Sequence, residues 1–170
     1  MPEPLDLDFD PIDRAAEHWR QRFGPSSAMA AATSVMRVQQ LLLAEFDAIC
    51  RPHGLTFARY EVLVLLTFSR RGALPMAKVG ERLMVHPTSA TNTVQRLETA
   101  GFVVREPNPR DGRGTLARIT ESGRAVVDTV TAELMSAEFG MGALTEEQQI
   151  EVFELLRALR AQAADFHGEV

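Results

Sequence analysis

MAKVGERLMVHPTSATNTVQRLETAGFVVREPNPRDGRGTLARI, residues 76–119, is the stretch that decides the fold. A short helix follows Pro75 with Val79 and Leu83 inward, and a tight turn at Met84–His86 leads to Pro87. Proline suits a first helical position because its missing N–H has no partner to lose there, so Pro87 opens a second helix that runs to Ala100-Gly101. Phe102-Val103-Val104 and Thr115-Leu116-Ala117-Arg118-Ile119 are β-prone runs around a polar tip from Pro107 to Gly114, which is the pattern of a hairpin. The order is helix, tight turn, helix, two-stranded wing.

Each part of that order has a use on DNA. With Ala90 as reference, Val94 and Leu97 fall within about 40° of it at 3.6 residues per turn, giving the second helix one apolar side. Thr88, Asn92 and Gln95 project from the opposite side, flanked by Ser89 and Arg96. These side chains are short or flexible enough to enter a major groove and carry donors and acceptors for base edges. An amphipathic surface helix in a bundle has the same pattern, so the helix alone leaves both readings open. The tip shifts the balance. Arg110-Asp111-Gly112-Arg113 puts two guanidinium groups on a hairpin end, where the negative potential of a narrow minor groove attracts them. Phosphate repels Asp111, so its better role is to hold Arg113 in one rotamer by a charge-assisted hydrogen bond. The competing reading is a solvated turn with an incidental ion pair.

Helical patterns extend on both sides. Asp10 caps a first helix with Pro11 at its start; Ile12, Ala15, Ala16, Trp19 and Phe23 share a face, and Gly24-Pro25 ends it. Ser26 or Ser27 is expected to cap a long helix to about Cys50, with the stripe Val35, Val38, Leu42, Phe46, Ile49. Pro52-His53-Gly54 breaks the chain, and Thr56 is expected to cap a helix that is apolar nearly all round and closes at Arg71-Gly72. Thr120 caps a helix through Val127, Val130 and Leu134, which Gly140 and Gly142 interrupt. Thr145-Glu146-Glu147-Gln148 is a capping box for a last helix carrying Val152, Leu155, Leu156 and Leu159. The expected architecture is mainly α with a small β-wing. Residues 1–51 and 124–170 supply N- and C-terminal dimerisation helices around a winged helix-turn-helix at 52–123, all in one integrated domain.

The net charge of -5 looks wrong for a DNA binder until it is mapped. Residues 51–124 carry twelve Lys/Arg against six Asp/Glu, so the centre is basic and both flanks are acidic. A basic module that meets phosphate between acidic ends fits this asymmetry. The composition, 45% hydrophobic and 24% charged, is that of a globular chain. No apolar run is long enough for a membrane span, the acidic N-terminus lacks the features of a signal peptide, and one cysteine forms no intrachain disulfide. The expected compartment is the cytoplasm, with no membrane association.

From Gly54-Leu55-Thr56 onward the chain resembles the multiple antibiotic resistance regulator (MarR) family. The resemblance runs through Arg59-Tyr60-Glu61-Val62-Leu63, Leu97-Glu98, Gly101-Phe102-Val103 and Arg105, then Asp111-Gly112-Arg113 and Ile119-Thr120-Glu121-Ser122-Gly123. A D-x-R wing followed by an L/I-T-x-x-G helix start is its most specific part. The flanking helices match by pattern, not by motif. The resemblance implies a homodimer on a pseudo-palindromic operator of double-stranded DNA. It puts recognition-helix side chains in the major groove and the wing arginine in the minor groove, and points to Thr88, Ser89, Asn92, Arg96 and Arg113.

In many relatives an effector pocket lies between the dimer helices and the DNA-binding lobe. Arg59, Tyr60 and Glu61 fall in that region, and Trp19, His18 and Met36 are candidates to line it, for a small aromatic or anionic effector. A subgroup with an added N-terminal helix uses a tryptophan, an aspartate and arginines for such ligands; Trp19 fits, but Glu61 stands where the aspartate aligns. The competing reading makes Arg59 and Glu61 a surface pair and Trp19 packed core. Family peroxide sensors place their cysteine near the chain start among tyrosines. Cys50, with Tyr60 the single tyrosine, reads instead as buried core.

His18, His53, His86 and His167 are too scattered for a metal site, no cofactor is implied, and His86 borders or caps the recognition helix. Nucleophile motifs and phosphate-cradling loops are missing, so no catalytic residue is assigned and the chain does not read as an enzyme. The expected function is effector-modulated regulation, with repression the expected mode. The competing class is a winged-helix protein–protein interaction module that does not read DNA.

Overall fold

The computed structural model describes residues 7–109 and 114–166. Among the described residues, seven α-helices and three strands run in the order α1 (Pro11–Phe23), α2 (Ser27–Cys50), α3 (Phe57–Thr67), β1 (Ala73–Pro75), α4 (Met76–Arg82), α5 (Pro87–Thr99), β2 (Val103–Pro107), β3 (Thr115–Ile119), α6 (Glu121–Ser136) and α7 (Glu146–Gln162). The chain divides into two compact units, Met1–Glu133 and Leu134–Val170, with the boundary inside α6. The fold is mainly helical with a small antiparallel sheet, as expected for a winged helix.

In the first unit, the Asp10 carboxylate accepts the N–H groups of Ile12 (2.8 Å) and Asp13 (3.4 Å), satisfying orphan donors at the start of α1. The long α2 lacks the expected serine cap: Ser26 occupies the cap position, is buried, and makes no capping bond. Thr56 fails in the same way. The N–H of Phe57 donates instead to the Asp47 carboxylate on α2 at 2.7 Å, so a neighbouring helix caps α3. The all-round apolar α3 does belong in a core: Tyr60, Val62, Leu63 and Leu66 are buried. It ends at Thr67, earlier than the expected Arg71-Gly72, because the chain then turns into a strand.

That strand is the main departure from expectation. The wing is three-stranded, in the order β1-β3-β2. β1 pairs Ala73, Leu74 and Pro75 with Arg118, Ala117 and Leu116, while β2 pairs Val103 through Pro107 with Ile119 back to Thr115. Proline is tolerated in β1 because this is an edge strand, where one ladder N–H is dispensable. Ala117 and Ile119 point from β3 into the core, where they join Val103, Leu63, Leu66, Val79, Val94 and Leu97. Leu116 and Arg118 take the opposite face.

The start of α6 explains the Thr120-to-Gly123 motif. Thr120 Oγ1 accepts the N–H of Gly123 (3.0 Å) and donates to the carbonyl of Gly101 (2.8 Å). A Cβ at Gly123 would run into the carbonyl oxygen of Phe102, so the close approach of α6 to the segment before β2 requires glycine. In the second unit, Thr145 and Gln148 form the expected capping box of α7, the side chain of each meeting the backbone N–H of the other (3.4 and 2.9 Å). Among the described residues no helix is long and apolar enough to cross a membrane.

Candidate nucleic-acid interface

The interface candidate is built on α5. Pro87 takes its first position, and the ring nitrogen Nδ1 of His86 accepts the N–H of Thr88 at 3.3 Å, so His86 is the N-cap. Ala90, Val94 and Leu97 are buried and seat the helix on the lobe. Thr88, Ser89, Asn92, Gln95 and Arg96 are all exposed. Among the described residues none of these five side chains makes a hydrogen bond or ion pair with the rest of the chain, which leaves their donors and acceptors open to a partner. α4 supports α5 from behind through Val79 and Gly80, both buried, across a turn in which Met84 adopts a positive φ of 51°. The N–H of Val85 donates to the carbonyl of Gly80 and closes that turn at 3.1 Å.

Among the described residues, two ion pairs anchor the wing. Arg105 on β2 reaches the Glu98 carboxylate on α5 through Nε (2.7 Å) and Nη2 (2.6 Å), tying wing to recognition helix. These hydrogen bonds hold the Glu98 carboxyl below the usual carboxylate range. Arg118 on β3 clasps Glu106 on β2 with Nε and Nη2, both at 2.9 Å, and donates from Nη1 to the carbonyl of Arg71 at 2.9 Å. Hydrogen bonds from Arg118 lower the Glu106 carboxyl in the same manner. Two of the arginines counted in the basic centre are therefore internally neutralised, which a charge count along the sequence does not reveal. The N–H of Asn108 donates to the carbonyl of Gly114 at 2.9 Å, closing the hairpin at the base of its tip. Arg110, Asp111 and Arg113, singled out in the sequence, lie outside the described residues.

A recognition helix with an unengaged polar face, on a helix-turn-helix braced by a wing, is the geometry of a DNA-reading lobe. The MarR family model matches residues 53–114, the span from the break before α3 to the wing. The chain is 59% identical to Sco5413, a MarR family transcriptional regulator from Streptomyces coelicolor; the match covers 83% of this chain and 98% of that one, with a TM-score of 0.78. The HTH-type transcriptional repressor Rv2887 of Mycobacterium tuberculosis is 32% identical over 124 residues, 72% of this chain and 88% of the relative. The chain belongs to the MarR family. It is a DNA-binding transcriptional regulator, in a family that is not enzymatic. A further MarR family regulator from Streptomyces coelicolor, Sco3205, has been solved in complex with DNA; it is 26% identical, covering 83% of this chain and 88% of that one, at a TM-score of 0.73.

In this MarR-family chain the six candidate effector residues have different surroundings. Trp19 packs on Phe23 with ring centroids 4.9 Å apart and is still 41% exposed, while His18 and Met36 are exposed. Arg59 donates to the carbonyl of Gly54 at 3.4 Å. Tyr60 is buried, its hydroxyl 2.8 Å from Thr131 Oγ1 on α6 and its ring against Phe57. Glu61 is exposed as a residue, yet desolvation raises its carboxyl above the ordinary value. Among the described residues no hydrogen bond or ion pair joins any two of the six. Cys50 is fully buried, and its thiol is pushed up to about 11, first by desolvation and then by the charges of Asp47 and Glu133. It is a core thiol rather than a reactive one.

Proposed function

We propose that this regulator binds a pseudo-palindromic operator as a homodimer in the cytoplasm and represses genes near its own, with a small aromatic or anionic effector setting its occupancy. The observation that carries the DNA part is the exposed, unengaged face of Thr88, Ser89, Asn92, Gln95 and Arg96 over the buried seat of Ala90, Val94 and Leu97. Those five enter the major groove, while Arg110 and Arg113 at the wing tip reach the adjacent minor groove with Asp111 orienting Arg113. The repressor named among its relatives supports repression.

Exposed apolar side chains support the dimer. Trp19, Phe23, Val35, Met36 and Leu41 on α1 and α2 are exposed, and so are Ile150, Phe153, Leu155 and Leu159 on α7. A two-fold assembly that covers such surfaces would set two recognition helices about 34 Å apart, one turn of the duplex. For the effector, His18, Trp19, Met36, Arg59, Tyr60 and Glu61 are the proposed set; support comes from the resemblance, which puts Arg59, Tyr60 and Glu61 in the family's pocket region, and from the exposure of Trp19. The domain reading is dimerisation helices at 1–51 and 124–170 around a DNA-binding lobe at 52–123.

The test is selection of bound sequences from a random DNA library by the purified full-length protein, followed by light scattering of the complex. Inverted half-sites about 10 base pairs apart, bound by two chains, are expected. No enriched sequence, or a monomeric complex, would overturn the proposal and favour a protein–protein module.

A further inference from the structure

Behind the wing, on the sheet face away from the core, lies a concavity of about 660 Å³. Its size falls in the range of roughly 300–1,000 Å³ common for small-ligand sites. It is lined by the α3–β1 loop, β1, the end of α4, the tip end of β2 and residues of β3. Among the described residues, none of those proposed above for DNA or effector lines it.

Among the described residues, four guanidinium groups line this concavity, from Arg70, Arg71, Arg82 and Arg118. Glu106 is the one carboxylate among the described lining residues, and Arg118 saturates it through both oxygens. Arg70, Arg71 and Arg82 are exposed and, among the described residues, make no side-chain hydrogen bond or ion pair. Among the described residues, the lining therefore carries three positive charges in excess of its acids. Its chemistry is not purely polar. Leu74, Pro75 and Leu116 line it, and so does Phe68, 83% exposed. Guanidinium forks match phosphate and carboxylate oxygens in pairs, and apolar walls suit an organic body.

We propose that this concavity binds a small organic polyanion, a phosphate ester or polycarboxylate, through Arg70, Arg71 and Arg82. Arg118 is the positioning residue: held by Glu106, it donates to the carbonyl of Arg71, fixes the α3–β1 loop against the sheet and so presents Arg70 and Arg71, while Arg82 comes from the end of α4. Pro107, Asn108 and Pro109 also line the concavity and lead directly into the wing tip, so an occupant would touch the hairpin arm proposed to reach the minor groove. Ligand binding stands independently of the operator reading.

The experiment is isothermal titration calorimetry of the full-length protein with inorganic pyrophosphate at low salt. One site per chain is expected, weakened about tenfold or more in the Arg70→Ala/Arg82→Ala double variant. Arg20→Ala, which removes an exposed charge from α1, should leave binding unchanged. Arg82→Gln repeats the measurement should the double variant melt early. Absence of saturable binding, an undiminished affinity in both variants, or an equal loss in Arg20→Ala would each overturn the proposal. Binding of random DNA is followed in parallel. Should pyrophosphate fail to saturate while the double variant lowers the salt dependence of DNA binding, the arginines serve the DNA backbone and no ligand site exists. Wild-type operator binding on the same preparation reads the proposed function separately.

Discussion

The carboxylate of Asp47 on α2 accepts the backbone N–H of Phe57 at 2.7 Å and caps α3 from a different helix. The residue next to that helix start, Thr56, makes no capping bond with its own side chain. A long helix that leaves apolar side chains exposed is thus joined by a charge-assisted hydrogen bond to the helix that begins the DNA-binding lobe.

Removing that bond should cost more than removing the local cap. Asp47→Ala is expected to lower stability by about 1–2 kcal/mol, the range for losing a capping carboxylate. Thr56→Ala should change it by less than about 0.5 kcal/mol. Urea unfolding of both variants checks this; a larger loss in Thr56→Ala would contradict the assignment of the cap.

Gly123 gives a second stability test. Its missing Cβ leaves room for the Phe102 carbonyl, and Ile119 Cγ1 would lie 2.8 Å from the added carbon. Backbone cannot rotate away as a side chain can. Gly123→Ala is expected to destabilise by about 1–3 kcal/mol despite alanine's better helix propensity. A raised melting temperature would show that α6 shifts freely and that the glycine is not required.

These residues mark what the sequence discloses and what it hides. Periodicity and local chemistry exposed α5, because Ala90, Val94 and Leu97 repeat on one side and Pro87 marks the start. Asp10, Thr120 and Thr145 were legible as caps for the same reason: their bonds span two or three residues. Asp47 was not, since its partner lies ten residues on, beyond the end of its own helix. β1 was hidden because three residues ending in proline show no alternation; only the pairing with β3 makes them a strand. The charge count overstated the free basic surface, because Arg105 and Arg118 meet acids seven and twelve residues away. Arg70, Arg71 and Arg82 entered the sequence reading only as part of the basic centre, since only the fold brings them to one concavity.

Cys50 should be chemically quiet. Its thiol is buried and pushed up to about 11, so the thiolate is scarce at neutral pH. A disulfide reagent at pH 8 should label the native protein far more slowly than the urea-unfolded chain, and peroxide should leave DNA binding unchanged. The folded pKa lies above the ordinary thiol value of 9.0, so this group's contribution to stability is full below pH 9 and falls away as pH rises toward 11. Equal labelling of native and unfolded protein would contradict the burial.

The wing offers a test in which two expectations have opposite signs. Arg113→Ala should weaken operator binding strongly, since in the proposed complex its charge enters the minor groove, where the potential is most negative. Asp111→Ala should weaken it too, although removal of an acid near phosphate would by itself strengthen binding. Fluorescence anisotropy at fixed salt separates the cases. Tighter binding by Asp111→Ala would mean the aspartate only repels and does not orient Arg113.

That α5 reads bases, and does not merely rest on phosphate, is tested most directly at Asn92. Its side chain is exposed, engages nothing else among the described residues, and lies opposite the buried Ala90, Val94 and Leu97. The measurement is the affinity of Asn92→Ala for the selected operator and for a scrambled duplex of equal length, at one salt concentration. The expected result is a loss of about 1–3 kcal/mol on the operator with little change on the scrambled duplex. Equal weakening on both, or no weakening on either, would contradict base reading by α5.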